Sequence, residues 1–414
     1  MKPVCGSFGR VLPLAVALLA MAGADAKETK KPEAKKSPEP PPPRKGEQEE
    51  DVPEGSVLFY NTLDDAPFYM KVGLKGNEDG PVFIVDTGVN VDLLLDSGFA
   101  KTLGKPSGTS LINGTVKGET YQLKFGTLGR MRLPEHPVPA VDLEMVRSGT
   151  GEQSAGVMGW PLFKKRTLVM DHRAGVFQIR SGARLIAPGA DSLPLHEVEG
   201  LPYFKSVLGS KELDFLIDTG DNGSVSLSTA DFDRLVKEGV VKEAEKRVFG
   251  MTLEGHHESR RGTLTGGKLL GVDLKGLRVD ENPKDTCAVG MTFLLKLDLA
   301  LSNTPSRISW VVRQDPRPPL ALRRMMGMVC LFRDGRAVVS RVEPDGAAAK
   351  AGLVDGDEIV SLDGQKEAGL NYRKLYEACE QNAGWPLKCQ ILRAGEKKEV
   401  TLNLGKAPSA WEQP

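Results

Sequence analysis

The tripeptide Asp-Thr-Gly occurs twice in this 414-residue chain, and each copy follows a run of apolar residues. Asp86-Thr87-Gly88 follows the run from Val82 to Val85, and Asp218-Thr219-Gly220 follows the run from Phe215 to Ile217. A short apolar run that ends at a turn is typical of a buried strand. The sequence therefore predicts a carboxylate at the end of a buried strand in two places. Two carboxylates brought together can share one proton and activate a water molecule.

The segments around the two copies are also alike. Upstream, Pro67-Phe68-Tyr69 corresponds to Pro202-Tyr203-Phe204; downstream, Val157-Met158-Gly159 corresponds to Ala288-Val289-Gly290. Each aspartate precedes its downstream glycine by nearly the same distance, 73 residues in the first copy and 72 in the second. The repeat, about 132 residues long, is far longer than a solenoid unit. This pattern predicts two related lobes.

These elements resemble the pepsin-like and retropepsin-like aspartic proteases, over roughly residues 55–318. The resemblance implies a mainly β fold of two double-ψ β-barrels, with Asp86 and Asp218 as the catalytic pair where the lobes meet. It also implies that Thr87 and Thr219 hydrogen-bond across that junction. Gly88 and Gly220 would permit tight turns and bring backbone N–H groups close to the carboxylates. Because one chain carries both copies, we expect a monomer.

Two positions depart from the family pattern, which usually has Ser or Thr after each tripeptide. Val89 offers no hydrogen-bond donor, which should disfavour the ionised pair and move the pH optimum above that of acid pepsins. Asp221 either faces the pair as a third negative charge or faces solvent, and the turn sequence Asp221-Asn222-Gly223 favours solvent. Tyr121 is either the aromatic residue of a flap that closes on substrate or a tyrosine of an ordinary strand.

The pattern changes from Met325 onward. The segment from Ala347 to Ile359 is consistent with a short helix, a glycine stop, a turn and a strand. This arrangement resembles a PDZ domain of the kind attached to bacterial exported proteases. The resemblance implies that the loop Met326-Gly327-Met328 offers N–H groups to the terminal carboxylate of a peptide, which then adds as a strand. The alternative is a PDZ fold that only braces the lobes.

The N-terminus predicts export. Lys2 and Arg10 give a basic start before a short apolar stretch, and Ala24-Asp25-Ala26 fits a signal-peptidase site. We therefore expect a periplasmic or secreted protein. An uncleaved membrane anchor is the alternative. In chain order, the predicted units are a signal peptide 1–26, a disordered Pro- and charge-rich linker 27–54, lobe 1 55–188, lobe 2 189–318, a PDZ domain 319–406 and a tail 407–414.

The remaining motifs predict no cofactor, metal or nucleic acid. The formal net charge of zero gives no electrostatic case for nucleic acid or an anionic membrane. His256-His257-Glu258 lacks the spacing of a zinc site, and Leu269 replaces the Ser or Thr that a phosphate loop requires. Four cysteines follow the predicted signal peptide: Cys287, Cys330, Cys379 and Cys389. We expect free thiols, with a bond among the last three left open.

Taken together, the sequence predicts an exported aspartic-type endopeptidase, a hydrolase that cleaves peptide bonds with water activated between Asp86 and Asp218. Its PDZ domain would bind or orient peptide or unfolded-protein substrates. The alternative is an inactive protease-like scaffold that acts as a peptide-binding module.

Overall fold

A computed structural model describes residues within 68–406. Short gaps in that description fall at 72, 75–81, 113–115, 124–125, 129–130, 133–134, 151–153, 172–175, 245–247, 253–254, 283–285, 315–324, 334 and 365–368. The predicted signal peptide, the linker, residues 55–67 and the tail from 407 lie outside the described residues.

The first half of the chain, residues 68–181, is built mainly of strands. Its strands are β1 Phe68–Lys71, β2 Gly73–Leu74, β3 Val82–Asp86, β4 Leu93–Asp96, β5 Gly108–Ile112, β6 Val116–Gln122, β7 Gly126–Leu128, β8 Met131–Arg132, β9 Pro137–Val141, β10 Ser154–Gly159, β11 Arg166–Asp171 and β12 Val176–Ser181. Its helices are α1 Ser97–Thr102 and α2 Glu144–Thr150, with a 3₁₀ turn at Trp160–Phe163.

The second half, residues 191–312, has the same character. Its strands are β13 Asp191–Pro194, β14 His196–Val198, β15 Leu201–Leu208, β16 Lys211–Ile217, β17 Val225–Ser228, β18 Val241–Glu243, β19 Val248–Thr252, β20 Gly255–Ser259, β21 Arg261–Leu264, β22 Lys268–Leu269, β23 Val272–Asp273, β24 Arg278–Asn282, β25 Cys287–Val289, β26 Leu297–Asn303 and β27 Ser306–Val312. Its helices are α3 Thr229–Lys237 and α4 Met291–Leu294.

The two halves repeat one strand order. The first sheet runs β1-β3-β10-β4-β9-β6-β5 and the second β14-β15-β16-β25-β17-β24-β21-β18. In each, the strand that carries or leads into the aspartate pairs in parallel with the later apolar strand: β3 with β10, and β16 with β25. Strands buried on both faces are apolar throughout rather than alternating, as Phe83, Ile84 and Val85 are.

A third sheet joins the halves. Its order is β12-β11-β26-β27-β13, and β11 of the first half pairs antiparallel with β26 of the second. Thr167 of β11 and Ser302 of β26 share a buried hydrogen bond of 2.8 Å between their hydroxyl groups. Because one apolar cluster extends from Phe83 through Leu168 to Phe293, the halves pack as one body.

The fold class is mainly β, as expected, but the predicted double-ψ barrels are not confirmed. The described strands form open sheets, and none of these sheets closes on itself. Short strand pairs such as β19 with β20 form separate two-stranded sheets. No helix of the described residues is long and apolar enough to cross a membrane.

The C-terminal unit has a core of its own. Its strands are β28 Met328–Arg333, β29 Arg336–Val342, β30 Glu358–Leu362, β31 Pro386–Arg393 and β32 Glu396–Asn403, with helices α5 Ala347–Lys350 and α6 Tyr372–Gln381. The strands form one antiparallel sheet in chain order, so β28 and β32 are its edges. Asn371 caps α6 by accepting a hydrogen bond from the N–H of Lys374, and Leu375 and Cys379 of α6 are buried in the core.

Candidate functional site

The two Asp-Thr-Gly turns have the same local geometry. The N–H of Gly88 donates to Oδ1 of Asp86 at 2.8 Å, and the N–H of Gly220 donates to Oδ1 of Asp218 at 2.9 Å. The N–H of Asp221 adds a second bond to Asp218 at 3.2 Å. Each aspartate lies at the end of a buried strand, and the backbone N–H groups of the turn that follows orient its carboxylate.

Reciprocal hydrogen bonds between the two threonines hold the turns against each other. The N–H of Thr87 donates to Oγ1 of Thr219 at 3.0 Å, and the N–H of Thr219 donates to Oγ1 of Thr87 at 3.1 Å. The hydroxyl of Thr87 donates to the carbonyl of Ile217, and that of Thr219 to the carbonyl of Val85, at 2.6 and 2.9 Å. Both threonines are fully buried. The two turns are thus tied by four bonds between residues 130 to 134 positions apart.

Each glycine lies directly against the carboxylate of the other half. A Cβ atom at Gly88 would lie 2.6 Å from Cγ of Asp218, and one at Gly220 would lie 2.3 Å from Cγ of Asp86. Such distances leave no room for a side chain, which explains why both positions are glycine. The approach brings Asp86 and Asp218 together, and their carboxyl groups hydrogen-bond to each other.

The pair holds a proton more tightly than an isolated carboxyl group. The pKa of Asp218 is raised well above its ordinary value, first by burial and then by the negative charges of Asp86 and Asp221. Two carboxylates at hydrogen-bonding distance cannot both ionise at low cost, so the pair titrates together. With one proton shared between them, the two carboxyl groups can donate one hydrogen bond to a bound molecule and accept another from it.

The two departures from the family pattern have different surroundings. Val89 is 2% exposed and lies in an apolar cluster with Ile84, Val91 and neighbouring residues, so it offers no donor to the pair. Asp221 does form the expected turn, since the N–H of Gly223 donates to its Oδ1 at 2.6 Å. Its side chain is half-buried rather than turned to solvent, and burial raises its pKa. The charge of Asp221 contributes in turn to the raised pKa of Asp218.

Tyr121 lies in the apolar core of the first half. It lies on β6 inside the first sheet, where it is paired with Val138 of β9, and it is 2% exposed. Its hydroxyl donates to Oε2 of Glu119 at 2.6 Å. The ring packs in the core, and β6 is flanked on both sides by strands. These surroundings favour the interpretation as a tyrosine of an ordinary strand.

Tyr203 lies near the pair although no sequence motif singled it out. Burial, followed by the charges of Glu199 and Asp218, raises the pKa of its phenol to about 12. The phenol therefore lies within electrostatic reach of the carboxylate pair. The signal that could have identified it is its place in the second Pro-aromatic-aromatic segment, which recurs upstream of each aspartate.

The predicted loop Met326-Gly327-Met328 leads into β28. Met326, Gly327 and Met328 are all buried, and the two methionine side chains belong to the core of the C-terminal unit. Gly327 has φ 69°, a left-handed conformation that favours glycine, and a Cβ there would lie 2.5 Å from Cα of Gly346. The close approach to Gly346 fixes the shape of the loop.

Edge strand β28 and helix α6 lie against each other, and we call the surface that they share the groove. Met328, Cys330 and Phe332 alternate along β28 and face the core, and Cys330 is only half-buried. On α6, Tyr372 contacts Phe332 edge to face with ring centroids 6.4 Å apart, and Tyr376 lies next to Tyr372 at 6.3 Å. The groove is therefore apolar and aromatic.

Two histidines have described carboxylate partners. The ring of His136 hydrogen-bonds Asp92 at 2.6 Å and the carbonyl of Pro137, and that of His196 pairs with Asp214 at 3.0 Å; a serine hydroxyl is not among these partners. Within the described part of the chain, no group of three or more His, Cys, Asp or Glu side chains is arranged to hold a metal ion. The four described cysteines are free, as expected.

Two curated proteins show similarity to the chain. A probable periplasmic serine endoprotease DegP-like from Pseudomonas fluorescens is 32% identical over 130 residues, which is 29% of this chain and 26% of that protein. The zinc metalloprotease RasP from Geobacillus kaustophilus is 27% identical over 78 residues, which is 19% of this chain and 18% of that protein. The chain thus spans about a quarter or less of the length of these relatives.

The similarity to a serine endoprotease contradicts the expected enzyme class. The prediction of an aspartic-type endopeptidase, of the pepsin-like or retropepsin-like class, is therefore wrong. The prediction rested on two tripeptides and their spacing, and these fix a local turn and a carboxylate position. A site of that kind does not by itself define the function of the protein that carries it.

The C-terminal unit matches a known family. Residues 313–404 match the family described as PDZ domain. The match covers all five strands of the C-terminal sheet and both of its helices. The chain therefore ends in a PDZ domain.

Proposed function

We propose that the chain is an exported protein that binds polypeptides, and that the groove between β28 and α6 is the binding site. The observation that carries the proposal is the position of β28, an edge strand of the PDZ sheet beside α6. PDZ domains take an extended peptide as an added strand at such an edge, with main-chain hydrogen bonds for affinity and pockets for specificity. An unpaired edge is a liability unless a partner covers it.

The lining of the groove suggests the ligand. Phe332, Tyr372 and Tyr376 make an apolar aromatic wall, which suits an apolar side chain at the end of the peptide. The backbone of the loop Met326-Gly327-Met328 would receive the terminal carboxylate. The names of the two relatives support the same ligand class, because a serine endoprotease and a zinc metalloprotease share polypeptide substrates and differ in catalytic group.

The compartment and the duplicated scaffold are parts of the same proposal. The signal-like N-terminus and the periplasmic relative support a periplasmic protein. The repeated strand order supports two lobes, 55–188 and 189–318, with the PDZ domain at 319–406. Together these features describe a periplasmic two-lobed protein with a C-terminal peptide-binding domain.

Asp86 and Asp218 are proposed as a second ligand-contacting site where the two lobes meet. Their shared proton would let the pair donate to a carbonyl oxygen of a polypeptide and accept from a bound water. Thr87, Gly88, Thr219 and Gly220 would act as positioning residues, since they hold the two carboxyl groups together.

The experiment that tests the proposal is a binding titration. A fluorescein-labelled peptide that ends in Ala-Val with a free carboxylate is titrated with the full chain, and its C-terminal amide serves as ligand control. Cys330→Arg places charge and bulk in the groove and should abolish binding. Leu331→Arg makes the same change on the opposite face of β28 and should leave binding intact. Equal binding by both variants, or equal affinity for acid and amide, contradicts the proposed site.

Peptide hydrolysis is a second candidate, favoured by the names of both relatives. The purified chain is tested for cleavage of unfolded casein. Cleavage that a serine-directed fluorophosphonate blocks would show that this protein is a serine endoprotease, as the name of the first relative says of that protein. Absence of turnover over the full range of pH 3 to 9 would leave polypeptide binding as the function.

A further inference from the structure

Helix α2 of the first half packs on the same groove that the PDZ domain would use for peptide. The described contacts of α2 include both β28 and α6, the two elements that form the groove. The edge of β28 is therefore covered by a segment of this chain. This contact is separate from the carboxylate pair and from the joining sheet.

One side of α2 is fixed to the first half. Arg147 forms an ion pair with Asp96, a buried carboxylate that also caps α1 and accepts from the N–H of Leu143 at 3.2 Å. Val146 packs against the apolar cluster that contains Val89. Because Val89 follows the Asp86 turn directly, α2 is linked through contacts to the carboxylate site.

The other side of α2 faces the PDZ domain. Successive residues of a helix point about 100° apart, so Ser148 lies away from the side formed by Val146 and Arg147. Ser148 is 5% exposed, and its hydroxyl donates to Glu144 of the same helix at 2.8 Å. A buried side chain on this side of α2 agrees with a face that packs on β28 and α6, the elements of the PDZ domain that α2 contacts.

Cys330 lies at the centre of β28 on the face toward α6, where it packs against the core of the PDZ domain. It is half-buried, whereas the other described cysteines are buried. Of these cysteines, Cys330 is therefore the one whose labelling can respond to movement of α2.

We propose that α2 is an internal cover of the PDZ groove and that a peptide must displace it to bind. The proposal rests on the proposed peptide-binding function and adds its regulation: the chain is self-inhibited in the absence of ligand. Displacement of α2 would loosen the contacts of Val146 and Arg147, so occupancy of the PDZ domain would be communicated to the half that carries Asp86. The ligand affinity of the full chain is reduced by the fraction of molecules in which the groove is open.

The test uses three full-length forms. Ser148→Arg places a long charged side chain between α2 and the groove, and Ser148→Ala removes only the hydroxyl and is the matched control. In the third form, Ser148→Cys, a short bismaleimide joins the new thiol to Cys330. Labelling of Cys330 by a maleimide is followed by mass spectrometry of its peptide, and the other described cysteines are buried and serve as internal reference.

The expected result has three parts. If the covered state is favoured about tenfold, Ser148→Arg should label Cys330 about tenfold faster and bind the fluorescein-labelled Ala-Val peptide about tenfold more tightly than wild type. Ser148→Ala should match wild type, and the cross-linked form should not bind the peptide. Circular dichroism of each variant checks that it is folded.

Several outcomes would overturn the proposal, and they separate it from the proposed function. Peptide binding with unchanged Cys330 labelling in Ser148→Arg, or full binding by the cross-linked form, overturns the cover and leaves the peptide-binding function standing. Faster labelling without peptide binding by any form overturns the competition together with the proposed function.

Discussion

The reciprocal threonine bonds give the sharpest quantitative prediction. Thr87→Val keeps the shape of a β-branched side chain and removes the hydroxyl. Two buried groups then lose a partner, the carbonyl of Ile217 and the N–H of Thr219. Each buried group left without a partner costs about 1–3 kcal/mol. We therefore expect Thr87→Val to lower the free energy of unfolding by about 2–6 kcal/mol.

The mirror substitution should behave alike. Thr219→Val removes the partners of the Val85 carbonyl and the Thr87 N–H, and the two substitutions have no bond in common. Both substitutions nevertheless act on the same pair of turns. Once one substitution has loosened the contact between the turns, the other should lower the free energy of unfolding by less. We expect the double variant to fall short of the sum by about 0.5–3 kcal/mol.

Urea denaturation followed by tryptophan fluorescence measures these values, since Trp160 and Trp310 are buried in the first and second halves. Thr292→Val is the matched control, because its hydroxyl donates a bond of 2.7 Å to the carbonyl of Asn222, within the second half. Asn222 is exposed, so water can replace that donor and the cost should be about 1 kcal/mol. If Thr87→Val costs no more than Thr292→Val, the turns do not hold the halves together.

Three further predictions concern the carboxylate site and the first sheet. The pKa of Asp218 is raised in the folded protein, so its favourable contribution to stability is complete below the ordinary value of 3.8 and is lost as pH rises through the raised value. Asp218→Asn should therefore stabilise the fold at pH 7, by about 1.4 kcal/mol for every tenfold increase in proton affinity that folding imposes on the carboxyl group. It should give no gain near pH 3, and urea midpoints at both pH values test this. Gly88→Ala should cost more than about 2 kcal/mol, on the order of other overpacked sites, because its Cβ would lie 2.6 Å from Cγ of Asp218; an unchanged melting temperature would contradict the close approach. Tyr121→Phe should leave peptide affinity unchanged and lower stability by about 1 kcal/mol, since it removes one bond to Glu119 in a core strand; a loss of affinity would restore a role at the cleft.

The meeting of Asp86 and Asp218 was predictable because it follows from a duplication. The two tripeptides have the same apolar run before them and the same spacing to a later glycine. Two copies of one local structure then place equivalent residues at equivalent positions, and the two threonines hydrogen-bond each other across the two turns. The PDZ domain was likewise predicted, from the resemblance carried by the segment from Ala347 to Ile359.

Other features depend on tertiary structure that periodicity does not encode. Tyr121 lies on a strand whose alternation would be the same in a flap hairpin and in a sheet interior. Asp221 forms the turn that the sequence indicated, yet its carboxyl points inward to the N–H of Gly223. The contact of α2 with the PDZ groove joins segments about 180 residues apart, and no local pattern reports such a contact. The predicted enzyme class was wrong because a sequence motif fixes a local structure and does not by itself determine the class of enzyme.

Hydrogen–deuterium exchange of the full chain with and without the free-carboxylate Ala-Val peptide tests the central claim most directly. A peptide that adds as a strand should slow exchange in Met328–Arg333 and Tyr372–Gln381, while displacement of α2 should speed exchange in Glu144–Thr150. Protection confined to other parts of the chain, or none in β28 at saturating peptide, would contradict polypeptide binding by the PDZ groove.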